Sequence, residues 1–436
     1  MSTYLALTFG TLLSSQGTDA SFAATSVAPP GASFLLRRAY QISFTPIYRS
    51  FTLPIRSAAP LAATQELYGH PAATSKSGLG HSGSSPREGR FVNMTERLSE
   101  QLAEAVEALV QVCREFPVAV EVFPSAVVEP HRVVVLLPGG GLNARASFAT
   151  AGDRSLAEFL AAAGYLPIGV TPREDAADAA DAREAADWGL AAHRTDVERV
   201  LTAVDEYLGL PYDLLGHSAG AALALDLAAQ SGCAAGRVLV LDTTGPYDPE
   251  TEPDWSARAA ALCDEFQRRL AAGELLLDPG LKAAFAAFSA TGGSPEVRER
   301  LTLALTRTSE LPGPVNWIYH RGHSAGGESL DLDVWARAMA ELGSGVQPLA
   351  MLRDLAALWA GREEVYRIDW SAIRADVVWV NGGLGRGDHD LGARLIRAGG
   401  ARVDYRVAPG FGHGDMVWAS QAQDAVWPLL LDQPIQ

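Results

Sequence analysis

Asp213-Leu-Leu-Gly-His-Ser-Ala-Gly-Ala-Ala-Leu-Ala-Leu225 is the stretch on which the reading of this chain turns. Residues 212–215 are short and apolar, as in a strand buried on both faces. Residues 219–230 are an Ala/Leu run of helical character. Between them stands Gly216-His217-Ser218-Ala219-Gly220, a Gly-x-Ser-x-Gly placed directly on a strand-to-helix turn. A serine on such a turn is lifted out of the sheet with its hydroxyl exposed. Its neighbours two positions away must be small, because side chains there would collide with adjacent strands. Ser218 is therefore the candidate nucleophile. The pentapeptide occurs twice: Gly322-His323-Ser324-Ala325-Gly326 repeats it. The second copy follows Asn316-Trp-Ile-Tyr319, which has strand character, but no helical run succeeds it. It reads as a loop of an insertion.

Outward from Ser218 the same alternation continues. Residues 118–123, 132–137, 166–170 and 238–241 have strand character. Residues 95–116, 155–163 and 188–208 show helical spacing, and Gly164 is placed to end the second of these helices. Alternating strands and helices predict an α/β architecture with a doubly wound, mostly parallel sheet. From about Gly245 to Tyr366 the alternation gives way to mainly helical sequence. It resumes with strands at 377–380 and 403–407 and helices at 389–398 and 421–431. The expected organisation is a core in two parts, 94–245 and 369–436, with a helical cap, 246–368, inserted over the carboxyl ends of the strands. Residues 1–93 stand apart. They are rich in Ser, Ala, Gly and Pro, and their basic residues outnumber the acidic ones. A disordered extension is expected there, with the working protein beginning near Met94. An Arg-rich targeting segment at residues 37–56 is the alternative.

Two further loops can serve a nucleophile at residue 218. Leu137-Pro-Gly-Gly-Gly-Leu-Asn143 follows a buried strand, and its glycines let backbone N–H groups turn into a pocket. An oxyanion hole needs one N–H from the residue after the nucleophile and one from such a loop. This nominates Ala219 together with Leu142 or a neighbouring glycine, Gly141 foremost. Pro409-Gly-Phe-Gly-His-Gly-Asp-Met-Val-Trp418 follows the last strand. Its His413 lies downstream of the serine and titrates near neutrality, as a general base must. The acid that orients the histidine has three candidates. Asp388, in Asn381-Gly-Gly-Leu-Gly-Arg-Gly-Asp-His-Asp390, is preferred; Asp242, ending the strand 238–241, is the alternative, and Asp390 the third.

Taken together, the Gly139–Leu142 loop, the Gly216–Gly220 turn, the acid-bearing loops and Gly412-His413 resemble the α/β-hydrolase superfamily from about residue 118 to the C-terminus. Gly412-His-Gly-Asp-Met-Val-Trp418 resembles the histidine loop of lipases and esterases. Leu239-Val-Leu-Asp-Thr-Thr-Gly245 looks more like thioesterases, whose acid follows this earlier strand. The resemblance has two departures. When Gly382-Gly383 is matched to the lipase-like acid loop, Gly385 falls at the acid's usual place. Pro138 stands where many relatives carry histidine. The resemblance implies a serine hydrolase that cleaves an ester or thioester through an acyl-enzyme. Acyltransferase or lyase chemistry, or a silent binding protein, are the alternatives.

Composition bounds the partners. The net charge is -16, with 51 acidic against 35 basic residues, which disfavours a nucleic-acid surface. The partner expected is a small acyl substrate, and Trp317, Trp335, Trp359, Phe285 and Phe288 in the insertion suggest that it has a hydrophobic acyl or alcohol group, although the core of a lid explains these residues as well. No cofactor is expected. The Asp388-His389-Asp390 and His413-Gly-Asp415 groups match no zinc spacing. Cys113, Cys233 and Cys263 are odd in number and far apart, as free thiols of a reducing cytoplasm would be. No apolar run reaches the length of a membrane span.

Overall fold

The computed structural model describes residues 100–124, 128–150, 155–177, 179–307 and 324–431. The proposed extension, residues 1–93, and Trp317 lie outside these. In chain order the core begins with α1 (Glu100–Cys113), β1 (Ala119–Val122), β2 (Arg132–Leu137), α2 (Ala144–Phe148), α3 (Leu156–Ala162) and β3 (Tyr165–Thr171). It continues with α4 (Leu190–Leu208), β4 (Tyr212–His217), α5 (Ala219–Ala228) and β5 (Arg237–Leu241). Next come α6 (Pro253–Ala271), β6 (Leu276–Leu277), α7 (Leu281–Ala290), α8 (Pro295–Thr306), α9 (Leu332–Ala340), β7 (Gln347–Pro348) and α10 (Leu349–Ala360). The core resumes with β8 (Asp376–Gly382), α11 (Leu391–Ala398), β9 (Val403–Ala408) and three short helices, α12 (Asp415–Trp418), α13 (Ala422–Ala425) and α14 (Pro428–Leu431).

Seven strands form one sheet in the order β1-β3-β2-β4-β5-β8-β9. All pairings are parallel except β1 with β3. Strands covered by helices on both faces must be apolar at every position, and β2 and β5 are buried beyond their first residue. Alternate residues serve opposite faces. Val133, Val135 and Leu137 join one core cluster with Val238, Val240, Val377 and Trp379. Val134 and Leu136 join the other with Leu239, Leu241, Val378 and Val380.

The helical insertion between β5 and β8 is divided between these two cores. Phe266 of α6 and Leu355 of α10 belong to the first cluster. Phe285, Leu305 and Trp335, from α7, α8 and α9, belong to the second. The antiparallel pair β6–β7, four residues in all, was not legible in the sequence. The helix expected at 421–431 is two short helices, because Pro428 cannot donate to a continuing ladder.

Register brings the loops of interest together. Leu137 pairs with Gly216, His217 with Leu241, and Leu241 with Val380. The residues that follow these positions therefore emerge side by side at the carboxyl edge of the sheet, where open α/β sheets bind ligands.

Candidate active site

Ser218 occupies the turn between β4 and α5 with φ 57° and ψ −119°. This conformation costs a non-glycine residue on the order of 1–3 kcal/mol. Asp242, φ 48°, is the only other non-glycine with positive φ among the described residues. Both stand one residue past a central strand, and the sheet holds them there. Ser218 N–H donates to Leu241 O at 3.0 Å, and Asp242 N–H donates to Val380 O at 2.9 Å. The flanking glycines have no room for side chains. A Cβ on Gly216 would lie 2.2 Å from Gly220 O, and one on Gly220 would lie 2.1 Å from Leu137 O.

Asp242 is the carboxylate that meets the histidine. Its Oδ2 lies 2.5 Å from Nδ1 of His413. Oδ1 accepts the Gly382 N–H at 2.6 Å, and both oxygens accept the Arg386 N–H at 3.0 and 3.1 Å. Asp388, the preferred acid from sequence, is solvent-exposed, and Asp390 pairs instead with Arg394 at 3.0 Å. Gly385 explains the difference. A Cβ there would lie 2.4 Å from Asp242 Oδ2, so the loop after β8 carries no side chain at this point and leaves room for the carboxylate from the end of β5. The signal was in the sequence, in a glycine at the expected acid position together with an aspartate ending β5.

Burial opposes charge on Asp242, but the hydrogen bond and charge of His413 and the amide and charge of Arg386 outweigh it. The carboxyl is held below its ordinary range. Burial lowers the pKa of His413 and the Arg386 charge lowers it further; the contact with Asp242 raises it without overcoming burial. The pair at neutral pH is a carboxylate and a neutral imidazole. His217, inside the pentapeptide, is held neutral down to about 3, by burial first and then by the nearby His413. Its Nε2–H donates to His413 O at 3.0 Å, which ties the histidine loop to the serine turn.

The loop after β2 packs on Ser218, with a Gly139 Cβ position 3.2 Å from Ser218 Cβ. Leu142, expected as an oxyanion donor, spends its N–H closing the turn on Gly139 O at 3.1 Å. Gly141 takes φ 74° and lies behind the loop against Gln347 Cγ, 2.9 Å from its Cβ position. Gly140 lines the cavity together with Ser218, Ala219 and His413, and its N–H has no hydrogen bond among the described residues. Gly140 O accepts from Nε2 of Gln347 at 3.0 Å, so a side chain of the insertion holds the next peptide of the loop, between Gly140 and Gly141. Asn143 fixes the far end of the loop. Its Oδ1 caps α2 at Ala146 N and its Nδ2 donates to Glu341 O. Ala219 supplies the first N–H of α5, which has no intrahelical partner.

The insertion also supports the histidine loop. His413 N–H donates to Ser324 O at 2.9 Å, Gly414 N–H to Ala325 O at 2.7 Å, and Glu328 N–H to Gly410 O at 3.0 Å. Asp415 Oδ2 joins the two segments by accepting from Gly327 N at 2.5 Å and Gly412 N at 2.9 Å. Burial raises the pKa of this carboxyl to about 6, against the lowering effect of those two amides. Gln347 was not singled out from sequence, and Asp415 was weighed there only as a metal ligand, because each meets a partner far away in the chain. Among the described residues no group of three or more His, Cys, Asp or Glu side chains is placed to hold a metal ion. No helix of the described residues is long and apolar enough to cross a membrane.

No family model matches this sequence, and no curated protein matches it. Solved structures do. A Sulfolobus solfataricus protein provisionally described as a lipase superposes with a TM-score of 0.51 at 14% identity, covering 72% of this chain and 88% of its own. An epoxide hydrolase from Mycobacterium thermoresistibile gives 0.45 at 17%, covering 73% and 96%. A carboxyl esterase from Bacillus coagulans gives 0.43 at 17%, covering 69% and 87%. At such identities the likeness is one of fold. The chain has the α/β-hydrolase fold, with a seven-stranded, mostly parallel sheet between helical layers.

Proposed function

We propose that the protein is a serine hydrolase acting on an ester or thioester with a hydrophobic part, through Ser218, His413 and Asp242. The single observation that carries this reading is the 2.5 Å contact of Asp242 with His413 Nδ1, in a cavity that His413 shares with Ser218 on its strained turn. With Nδ1–H donated to the carboxylate, the neutral imidazole presents Nε2 as a lone pair. Nε2 takes the Ser218 proton as Oγ adds to the carbonyl carbon. The oxygen that gains charge is met by the N–H groups of Ala219 and Gly140, which need no reorganisation to receive it. The imidazolium, stabilised by Asp242, passes its proton to the departing alcohol or thiol, leaving an acyl-serine. Water then gives a proton to Nε2 and its oxygen to the acyl carbon. Collapse of that adduct releases the acid and returns the proton to Ser218.

The insertion serves as a cap in this reading. It walls the cavity with Leu262, Phe266, Leu355 and Trp359, which suit an apolar group and exclude bulk water around the oxyanion. Oxyanion donors are thus reassigned from Leu142 and Gly141 to Gly140, with Ala219 retained. The test is covalent labelling. A fluorophosphonate should add one equivalent to the native protein at Ser218 and none to Ser218→Ala. A folded native protein that takes no label would sink the proposal.

A further inference from the structure

Three consecutive glycines, Gly139, Gly140 and Gly141, form the loop that packs on Ser218. Without Cβ atoms they take positive and negative φ about equally readily, so the peptides between them rotate unless something holds them. The carbonyl and the N–H of a trans peptide point in opposite directions. The Leu142 N–H donates to Gly139 O at 3.1 Å, and this fixes the peptide whose other end is the Gly140 N–H. That bond is local to the loop. The next peptide, between Gly140 and Gly141, is held by Nε2 of Gln347, which donates to Gly140 O at 3.0 Å from a position 207 residues away. Gly140 is thus gripped on one side by its own loop and on the other by the insertion.

The glutamine is seated closely. A Cβ on Gly141 would lie 2.9 Å from Gln347 Cγ, so any other side chain at 141 would push it away. Its strand, β7, pairs Gln347 with Leu277 of β6. The segment before β7 is pinned to Asp175, which follows β3: Ser344 N–H donates to Asp175 O at 2.7 Å and Gly343 N–H to Asp175 Oδ1 at 2.9 Å. The other oxygen of that carboxylate accepts from Nδ2 of Asn143 at 3.2 Å, at the far end of the glycine loop. One aspartate therefore links the insertion to the loop. Gln347 is also the one carboxamide among the described residues lining the cavity, whose wall is otherwise largely apolar. An aliphatic side chain would close that wall equally well. What the polar end adds is a donor, and a donor is what a carbonyl needs.

We infer that Gln347 is a positioning residue: it keeps the Gly140 N–H aimed at the oxyanion that forms on the substrate, so that the insertion completes the oxyanion hole as well as walling the cavity. The inference rests on the serine-hydrolase reading and on Gly140 as one of its donors. The substrate carbonyl gains its full charge only as Ser218 adds to it, so the benefit of Gln347 falls on the transition state and not on substrate binding.

The experiment uses the full chain and a neutral p-nitrophenyl ester. Gln347→Glu keeps the shape of the side chain but turns an acceptor toward Gly140 O, and Gln347→Met keeps the apolar stem without a donor. Each should lower kcat by about 10- to 100-fold, somewhat less than deletion of an oxyanion donor, because the Gly140 N–H is misaimed and not removed. KM should stay unchanged. Binding separates this role from a merely structural one. A trifluoromethyl ketone, on which Ser218 forms a tetrahedral adduct with the oxyanion in place, should bind more weakly by the same factor. The corresponding alcohol, which forms no adduct, should bind as it does to native protein.

A native kcat in both variants overturns the inference, as does a loss confined to KM or an equal weakening of the ketone and the alcohol. Ser218-dependent turnover by native protein tests the hydrolase reading separately. If it is absent, both readings fall together. If it is present and the Gln347 variants match native protein, the inference about Gln347 falls alone.

Discussion

Two regions of this molecule carry the pentapeptide Gly-His-Ser-Ala-Gly, at 216–220 and 322–326. At the first, β4 runs in and α5 runs out, and the serine between them is pressed into φ 57° with its side chain on the cavity. At the second, of which Ser324, Ala325 and Gly326 lie among the described residues, Ser324 is buried and its hydroxyl donates to Thr306 O at 2.7 Å. The carbonyls of Ser324 and Ala325 receive the N–H groups of His413 and Gly414. One copy is placed to present a nucleophile. The other is a backbone pedestal under the histidine that would activate it. The difference teaches that the chemistry open to a serine here depends on what its hydroxyl meets in the fold. Hydrogen bonding consumes the hydroxyl of one copy, while the turn exposes that of the other.

The comparison can be broken most forcefully at residue 218. Ser218→Ala should lower kcat by about 10⁶-fold and abolish phosphonate labelling, the scale seen when a triad acts as a unit. If label and turnover survive in Ser218→Ala and vanish in Ser324→Ala, the two roles are reversed. The next effect is at the acid. Asp242→Asn should cost about 10³- to 10⁴-fold in kcat by stabilising the wrong imidazole tautomer. Asp388→Asn should stay within a few-fold, since that side chain is exposed. A larger loss for Asp388→Asn than for Asp242→Asn would restore the sequence-based preference.

The pedestal can be tested without touching the triad. A Cβ on Gly327 would lie 2.3 Å from Gly410 O, so Gly327→Ala should push the two loops apart. A misplacement of about 1 Å can cost about 10²-fold in kcat. Thermal unfolding checks that the loss is not global, and an unchanged kcat in this variant would deny the pedestal its role.

The pH profile sharpens the electrostatic part of the comparison. The base works when neutral, and His413 lies below its ordinary value of 6.5, by burial first and Arg386 second. The acid limb of kcat/KM should therefore fall below pH 6.5, dropping about tenfold per pH unit beneath the pKa. A limb centred above 6.5 would show that Asp242 outweighs burial. The smallest effect is at Ser324 itself. Ser324→Ala removes one hydroxyl hydrogen bond, about 1 kcal/mol of stability, and should leave labelling at Ser218 complete.

The sequence by itself determined the architecture and nominated Ser218 and His413 as candidate nucleophile and base. Continuous apolar runs such as Val133–Leu137, alternating with helical stretches, read as strands buried on both faces. A glycine-flanked serine directly between such a run and an Ala/Leu helix marks a strand-to-helix turn, and the one loop histidine after the last strand is the candidate base. What only the tertiary structure decided is everything that depends on which distant loops meet. Asp242 is the carboxylate that meets His413, and Gly385 leaves the space beside it open. Leu142 loses its N–H to a turn that local sequence does not announce. Gln347, Asp415 and Arg386 act through partners on other elements, and the pairing of strand ends at the carboxyl edge brings them together. Local periodicity is written in neighbouring residues and can be read from them. Side chains that meet across the sheet edge are fixed by register and packing, and those are properties of the folded chain as a whole.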